Sequence, residues 1–352
     1  MSELLTHGGD WAGFLSERGK LPLDFSASIS PLGVPGGVRA AVRQAAGQMD
    51  RYPDPLCRAL RESISEYELV PPQQILCGNG AAELIFRVVW ALRPRQALVT
   101  APTFSEYGAA LQSVGCAVKT WSLPEKRDFR LEEGVLDAIT PETDLVFLCE
   151  PNNPTGVTAG RALLLRILRR CQETGTRLIL DECFGDLLDD PESHTLKGEL
   201  EAYPNLLILK AFTKLYAMAG IRLGYALCAD RALLERMYLA GQPWSVSVPA
   251  QAAGAAALRE TAYRERVRSL VRRERPWLTK RLGTLGLRVV PGEANYLLFQ
   301  SPVSLGEPLA RRGILLRSCA NYMGLDETWY RTAVRTRRQN QRLVEALEEI
   351  VK

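Results

Sequence analysis

Short apolar runs with no polar alternation recur along the chain, and they limit the fold more than any other feature. Residues 75–77, 97–100, 145–148, 178–180 and 206–209 are such runs, as in Leu206, Leu207, Ile208 and Leu209. A strand that shows one face to water alternates apolar and polar residues, so an unbroken apolar strand is covered on both faces. Between the runs, apolar residues recur at helical spacing, as in Leu84, Ile85, Val88, Val89 and Leu92. Alternating strands and helices predict an α/β fold: a three-layer large domain with a mainly parallel sheet between helices. After Gln242-Pro243-Trp244 the texture changes. One long helical stretch is expected over 250–285, then short strands at 287–290, 296–299, 314–317 and 330–335, and a last helix from near Arg337. This is the pattern of a smaller α+β domain, and 352 residues suffice for two such cores. The expected divisions are 1–44 (an N-terminal arm and part of the small domain), 45–243 (the large domain) and 244–352 (the C-terminal small domain). Residues 1–35 show little helical periodicity and are expected to form an arm.

A net charge of +4 over this length implies no nucleic-acid partner. No apolar run approaches the ~20 residues of a membrane span, and the first residues have neither the basic nor the apolar segment of a secretion signal. The eight cysteines form no Cys-x-x-Cys pair. Free thiols in a cytoplasmic protein are therefore expected, without a metal site.

In an open parallel sheet, ligands sit at the carboxyl ends of the strands. Four polar signals fall there. Gly78-Asn79-Gly80-Ala81-Ala82 is a glycine turn opening a helix, whose free N–H groups can hold a phosphate. Asn152-Asn153-Pro154-Thr155-Gly156 offers an asparagine to a bound oxygen, and the same residues also make an ordinary turn. Asp181-Glu182 puts a carboxylate among apolar neighbours, where it needs a cation or serves as a helix cap. Lys214, with Arg222 eight residues on, has no carboxylate in the ten residues that follow it. Burial and Arg222 would both lower the proton affinity of its amine, as attack on an aldehyde requires.

In order and spacing, these signals resemble the fold-type I pyridoxal-phosphate enzymes of the class I and II aminotransferase group. Their series Asn-Pro-x-Gly, Asp, Lys, Arg is matched by Asn153, Asp181, Lys214 and Arg222, and the resemblance covers almost the whole chain. It implies pyridoxal 5′-phosphate as cofactor, with Lys214 joined to its aldehyde and Asp181 paired with its ring nitrogen. It also implies Asn153 on the phenolic oxygen and Phe104 stacked on the ring. Gly80, Ala81, Ala82, Thr213 and Arg222 would surround the cofactor phosphate, which Tyr52 would reach from the second subunit of a homodimer. Arg331 matches the arginine that grips a substrate α-carboxylate.

His7-Gly8-Gly9, Asp24-Phe25-Ser26, Thr213-Lys214-Leu215-Tyr216, Gln242-Pro243-Trp244 and Arg317-Ser318-Cys319 are similar to motifs of threonine-phosphate decarboxylases of cobalamin synthesis. Those enzymes are related to histidinol-phosphate aminotransferases. The resemblance implies a small phosphorylated amino acid as substrate, with decarboxylation of O-phosphothreonine to aminopropanol phosphate as the leading expectation and transamination as the alternative. His7, Ser30, Asn153, Arg317 and Arg331 are the expected substrate contacts, and Arg335 is expected to share the face of Arg331. The chain departs from the pattern at Ser28 and Ser30, where the decarboxylases carry asparagines. It departs again at Phe184, which replaces a tyrosine hydroxyl, and at Ala211, which replaces a serine.

Overall fold

The computed structural model describes residues 7–351. The arm is more ordered than its weak periodicity suggests: it holds helix α1 (Trp11–Arg18) and a two-residue strand, β1 (Leu23–Asp24). Local chemistry makes the helix, since the Asp10 side chain accepts from the Gly13 N–H and Gly19 ends the last turn in the left-handed conformation. Its interior face is a single buried residue, Phe14, which is why the pattern is faint.

The large unit then runs α2 (Gly36–Ala45), α3 (Arg58–Glu68), β2 (Ile75–Gly78), α4 (Ala81–Leu92), β3 (Gln96–Ala101), α5 (Ser105–Ser113), β4 (Ala117–Ser122), β5 (Leu145–Cys149), α6 (Arg161–Glu173), β6 (Arg177–Asp181), β7 (Leu206–Ala211), β8 (Gly224–Cys228) and α7 (Arg231–Leu239). Its seven strands lie in the order β2-β8-β7-β6-β5-β3-β4. Only β8 runs against its neighbours. Every residue of β5 is buried, because the sheet has an apolar layer on each face. Leu84, Val88, Tyr107, Phe147 and Ile179 belong to one layer, and Leu148, Leu164, Leu168, Leu180 and Ile208 to the other. Strand β4, absent from the sequence expectation, forms one edge of the sheet, and its exposed Lys119 and half-exposed Thr120 break the apolar pattern.

The rest of the chain forms α8 (Val248–Leu258), α9 (Thr261–Thr284), β9 (Arg288–Val289), β10 (Tyr296–Gln300), α10 (Gly306–Arg311), β11 (Ile314–Leu315), β12 (Arg317–Ser318), β13 (Trp329–Ala333) and α11 (Arg337–Val351). The helix expected over 250–285 is thus two helices. They part at Arg259 and Glu260, where Arg264 Nη1 donates to the open Leu258 carbonyl at 2.7 Å. Small residues let α8 press onto the large unit, and a Cβ at Gly254 would meet Leu223 Cδ2 at 2.5 Å. Ala250, Ala253 and Val267 share the large unit's apolar cluster, whereas Leu278 and Leu282 of the same α9 join Phe25, Leu297, Phe299 and Leu347 in a second core. As a proposal, the chain divides at 1–44, 45–243 and 244–352 in sequence order, with α2 and α8 packed into the large unit's core from either side of it and α9 shared between the two cores. The second core sits on an antiparallel sheet, β12-β13-β10-β9, while β1 pairs in parallel with β11 in a separate two-stranded sheet, Leu23 opposite Ile314. Among the described residues no helix is long and apolar enough to cross a membrane.

The opening of β8 sets how closely the α4 turn can approach the sheet. A Cβ at Gly224 would lie 2.6 Å from the Ala81 backbone nitrogen and 2.9 Å from the Lys210 carbonyl oxygen. Gly224→Ala must displace that turn, and we expect unfolding free energy to fall by about 1–3 kcal/mol in denaturant titrations. Unchanged stability would show that the turn is free to move.

Candidate active site

The carboxyl ends of β2, β3, β5, β6 and β7 converge, and the residues picked from the sequence lie on the turns that leave them. Gly80 precedes α4 with φ +84°, a conformation open to glycine, and no side chain caps the helix, so its first N–H groups remain available to an anion. A Cβ on Gly80 would meet Arg222 Nη2 at 2.6 Å. The guanidinium therefore lies against the bare glycine that caps the N-terminus of α4. Arg222 takes this position from a left-handed backbone (φ +58°) after a tight turn over Ala219–Ile221. A helix N-terminus with an adjacent guanidinium is a cradle for a phosphate dianion. Thr213, buried, precedes Lys214 on the neighbouring turn.

Two lysines leave β7 four residues apart, and their surroundings separate their chemistry. Lys210 is 4% exposed, with Nζ 3.1 Å from Asp186, 3.4 Å from Glu182 and 3.7 Å from Glu68. Burial works against its charge, but Asp186, Glu68 and Glu182 outweigh it and hold the ammonium proton well above the ordinary lysine range. Among the described residues Lys214 has no carboxylate within 4.0 Å. Burial and then Arg331 lower its pKa to about 8; Cys183 and Asp181 oppose this, and Arg222 adds to it. The expected cation, Arg222, is thus the lesser of the two. Lys214 Nζ lies 5.0 Å from the centre of the Phe184 ring, an apolar floor.

Among the described residues Asp181 ends β6 without meeting a cation within 4.0 Å; that expectation is fulfilled one residue later, by Glu182 on Lys210. Asp181 is instead held by neutral donors, the Tyr107 hydroxyl at 2.6 Å and the Cys183 N–H at 3.0 Å. Tyr107 was not legible as a site residue, although it stands three positions, about one helical turn, after Phe104. Asn153 accepts from Arg331 Nη1 and from the Tyr322 hydroxyl at 3.4 Å, which leaves its Nδ2 end to donate. Phe104 is flanked by the His7 ring at 5.7 Å and by the edge of Tyr107 at 5.7 Å.

Arg331 and Arg317 are direct register partners on β13 and β12, each less than a tenth exposed. Arg331 also donates to the Ser26 carbonyl at 2.9 Å and lies over the Tyr296 ring, while Arg317 donates to Asn321 and lies over Tyr322. Arg335 does not follow Arg331 along the strand. β13 ends at Ala333, and Arg335 turns to the Asp24 carbonyl at 2.6 Å. His7 Nε2 is engaged by Glu106 at 2.8 Å. The Ser30 hydroxyl meets Tyr263 at 2.8 Å, its N–H donates to the Lys214 carbonyl at 2.9 Å, and the buried Ser28 hydroxyl has no hydrogen-bond partner. Tyr52 is 79% exposed and stacks on Trp244, ring centroids 4.6 Å apart.

These surroundings predict one reactive lysine. Aldehyde treatment followed by borohydride should label Lys214 and spare Lys210, with a rate that rises with pH and levels off above about 8 as the amine loses its proton. A principal adduct at Lys210 would reverse the assignment. Lys210→Met should leave three carboxylates without their shared cation and lower stability by roughly 3–5 kcal/mol, measured by denaturant unfolding.

The profile described as "Aminotransferase class I and II" matches residues 22–347. A threonine-phosphate decarboxylase of Salmonella typhimurium is 40% identical, over 98% of this chain and 96% of that protein. A histidinol-phosphate aminotransferase of Symbiobacterium thermophilum is 35% identical, over 91% of this chain and 88% of that protein. The crystal structure of the histidinol-phosphate aminotransferase from Clostridium acetobutylicum superposes with a TM-score of 0.88 at 28% identity, covering 93% of this chain and 98% of that one. A lysine amine poised near neutrality, a carboxylate fixed by neutral donors and an arginine-backed helix N-terminus fit an aldehyde, a ring nitrogen and a phosphate, and the chain belongs to the class I and II aminotransferase family, the fold-type I enzymes that depend on pyridoxal 5′-phosphate.

Proposed function

We propose that the protein decarboxylates O-phosphothreonine to aminopropanol phosphate. The observation that carries the reading is the Arg317–Arg331 register pair. Directly opposed residues of an antiparallel pair share a face, and like charges there repel. Two guanidinium groups kept on one buried face suit a ligand with two anionic groups, such as an α-carboxylate and a phosphate. The name of the 40% identical relative supports the choice, and Phe184 beside Lys214 offers no hydroxyl.

When bound, pyridoxal phosphate supplies an aldehyde for the substrate amine and a protonated ring that draws off the electron pair released at the α-carbon. The residues do the rest. Gly80, Ala81, Ala82, Thr213 and Arg222 would hold its phosphate, Asn153 its phenolic oxygen, Phe104 one ring face and Asp181 the ring nitrogen. Arg331 takes the substrate carboxylate. Arg317 takes the phosphate, with His7 and the neighbourhood of Ser30 closing that end. The bond from the α-carbon to the carboxylate breaks, carbon dioxide leaves, and Lys214 Nζ, with a pKa of about 8, delivers the proton that takes its place. In this reading the working form is a homodimer in which the exposed Tyr52 reaches the cofactor phosphate of the second copy. The eight free cysteines accord with a reducing cytoplasm.

The names of relatives near 35% identity favour transamination as the second reading. Purified protein should release carbon dioxide from O-phosphothreonine. It should turn over threonine about a hundredfold or more less efficiently, given roughly 1.5–3 kcal/mol for each charge-assisted bond lost. Arg317→Ala should collapse that preference while sparing the threonine rate. Equal use of the two substrates would rule out the phosphate site. Consumption of histidinol phosphate with 2-oxoglutarate, and no carbon dioxide, would establish the aminotransferase instead.

A further inference from the structure

Tyr107 is fully buried on α5, outside every contact so far assigned to cofactor or substrate. Its ring is clamped, parallel to Phe147 with centroids 4.8 Å apart and edge-on to Phe104 at 5.7 Å. Its hydroxyl donates to Asp181 Oδ2 at 2.6 Å, and the Cys183 N–H takes Oδ1. One side chain thus touches both the aromatic assigned to a cofactor face and the carboxylate assigned to its ring nitrogen. Each Asp181 oxygen accepts one fixed hydrogen bond and keeps lone-pair capacity for another. A lysine or arginine in place of the phenol would also orient the carboxylate, but it would oppose a second positive charge on the far side. The phenol orients without neutralising.

We propose that Tyr107 is a positioning residue that aims Asp181 at the cofactor's ring nitrogen and sets how strongly the site prefers a protonated ring. Burial, and then Asp181 itself, hold the phenol proton well above the ordinary tyrosine range, so the group remains a donor across the working pH. Phe147 and Phe104 pack against the fully buried ring and fix where its hydroxyl meets the carboxylate. The inference rests on the reading that Asp181 faces the ring nitrogen.

The test separates the two. Full-length protein stripped of cofactor is titrated with pyridoxal phosphate and with its 1-carba analogue, in which C–H replaces the ring nitrogen, and the ratio of dissociation constants is taken. Asp181→Ala should abolish the wild-type preference for the natural cofactor. Tyr107→Phe, which keeps the stacked ring, should narrow that preference about tenfold or more, the effect of losing a hydrogen bond to a charged group. It should lower kcat while leaving KM within about threefold, because Arg331 and Arg317 are untouched. Its thermal midpoint, measured in parallel, reports folding. Tyr107→Phe with the full wild-type preference, beside an Asp181→Ala that has lost it, overturns the role of Tyr107 alone. An Asp181→Ala that keeps the preference overturns the ring-nitrogen reading beneath it.

Discussion

A buried amine stays neutral near pH 8 only where no carboxylate remains to pair with it, and the end of the sheet meets that condition by committing its acids elsewhere. Glu68, Glu182 and Asp186 surround Lys210, Glu68 also meets Lys197, and the Tyr225 hydroxyl closes on Glu68 at 2.5 Å. Glu182 is bound as well by Thr195 and the Leu196 N–H. This cluster ties α3, β6, β7 and β8 together on the face turned away from Asp181. Consecutive residues of a strand point to opposite faces, so Asp181 and Glu182 serve different networks one peptide apart. Structure takes one carboxylate and the site takes the other.

The side of the site that holds Arg317 and Arg331 is organised by the opposite device, an excess of positive charge. Arg331 depresses the Lys214 amine, binds Asn153 and faces Arg317, so one guanidinium acts on three of the candidate site residues together. Its position is secured from the far end of the chain by the Ser26 carbonyl. Ser26 is in turn fixed by Asp24 and, through its hydroxyl, by the Gly9 N–H. Gly8 must be bare there, since a Cβ would lie 2.4 Å from the Ser26 oxygen.

Much of this was legible because it rests on local pattern. Unbroken apolar runs revealed five of the sheet's seven strands, and the residues at or just after their ends, Gly80, Asn153, Asp181 and Lys214, fell at the carboxyl ends. Strand β4 escaped because an edge tolerates Lys119 and Thr120, and α1 because one buried Phe14 makes no period. The break between α8 and α9 follows from packing onto two cores, which periodicity does not encode. What stayed hidden in the site depends on partners distant in sequence. Lys210 is settled by Glu68, Asp181 by Tyr107, and Arg335 by Asp24. Resemblance named the chemistry at Lys214, but Arg331, not the nearby Arg222, proved the stronger influence on its charge.

The pairing of the chain's two ends has a temporal meaning. β1 lies beside β11, the Ala333 N–H donates to the Phe25 carbonyl, and Arg331 holds Ser26 from 305 positions away. During synthesis the large unit can collapse as soon as its strands emerge, whereas the early segment around residues 23–26 must wait for the last strand. Contacts of such long range are the slow ones to form. A growing chain therefore carries Lys214 long before it owns the arginine that helps to lower its proton affinity, and a polypeptide cut short before residue 331 lacks that influence however well its sheet has formed.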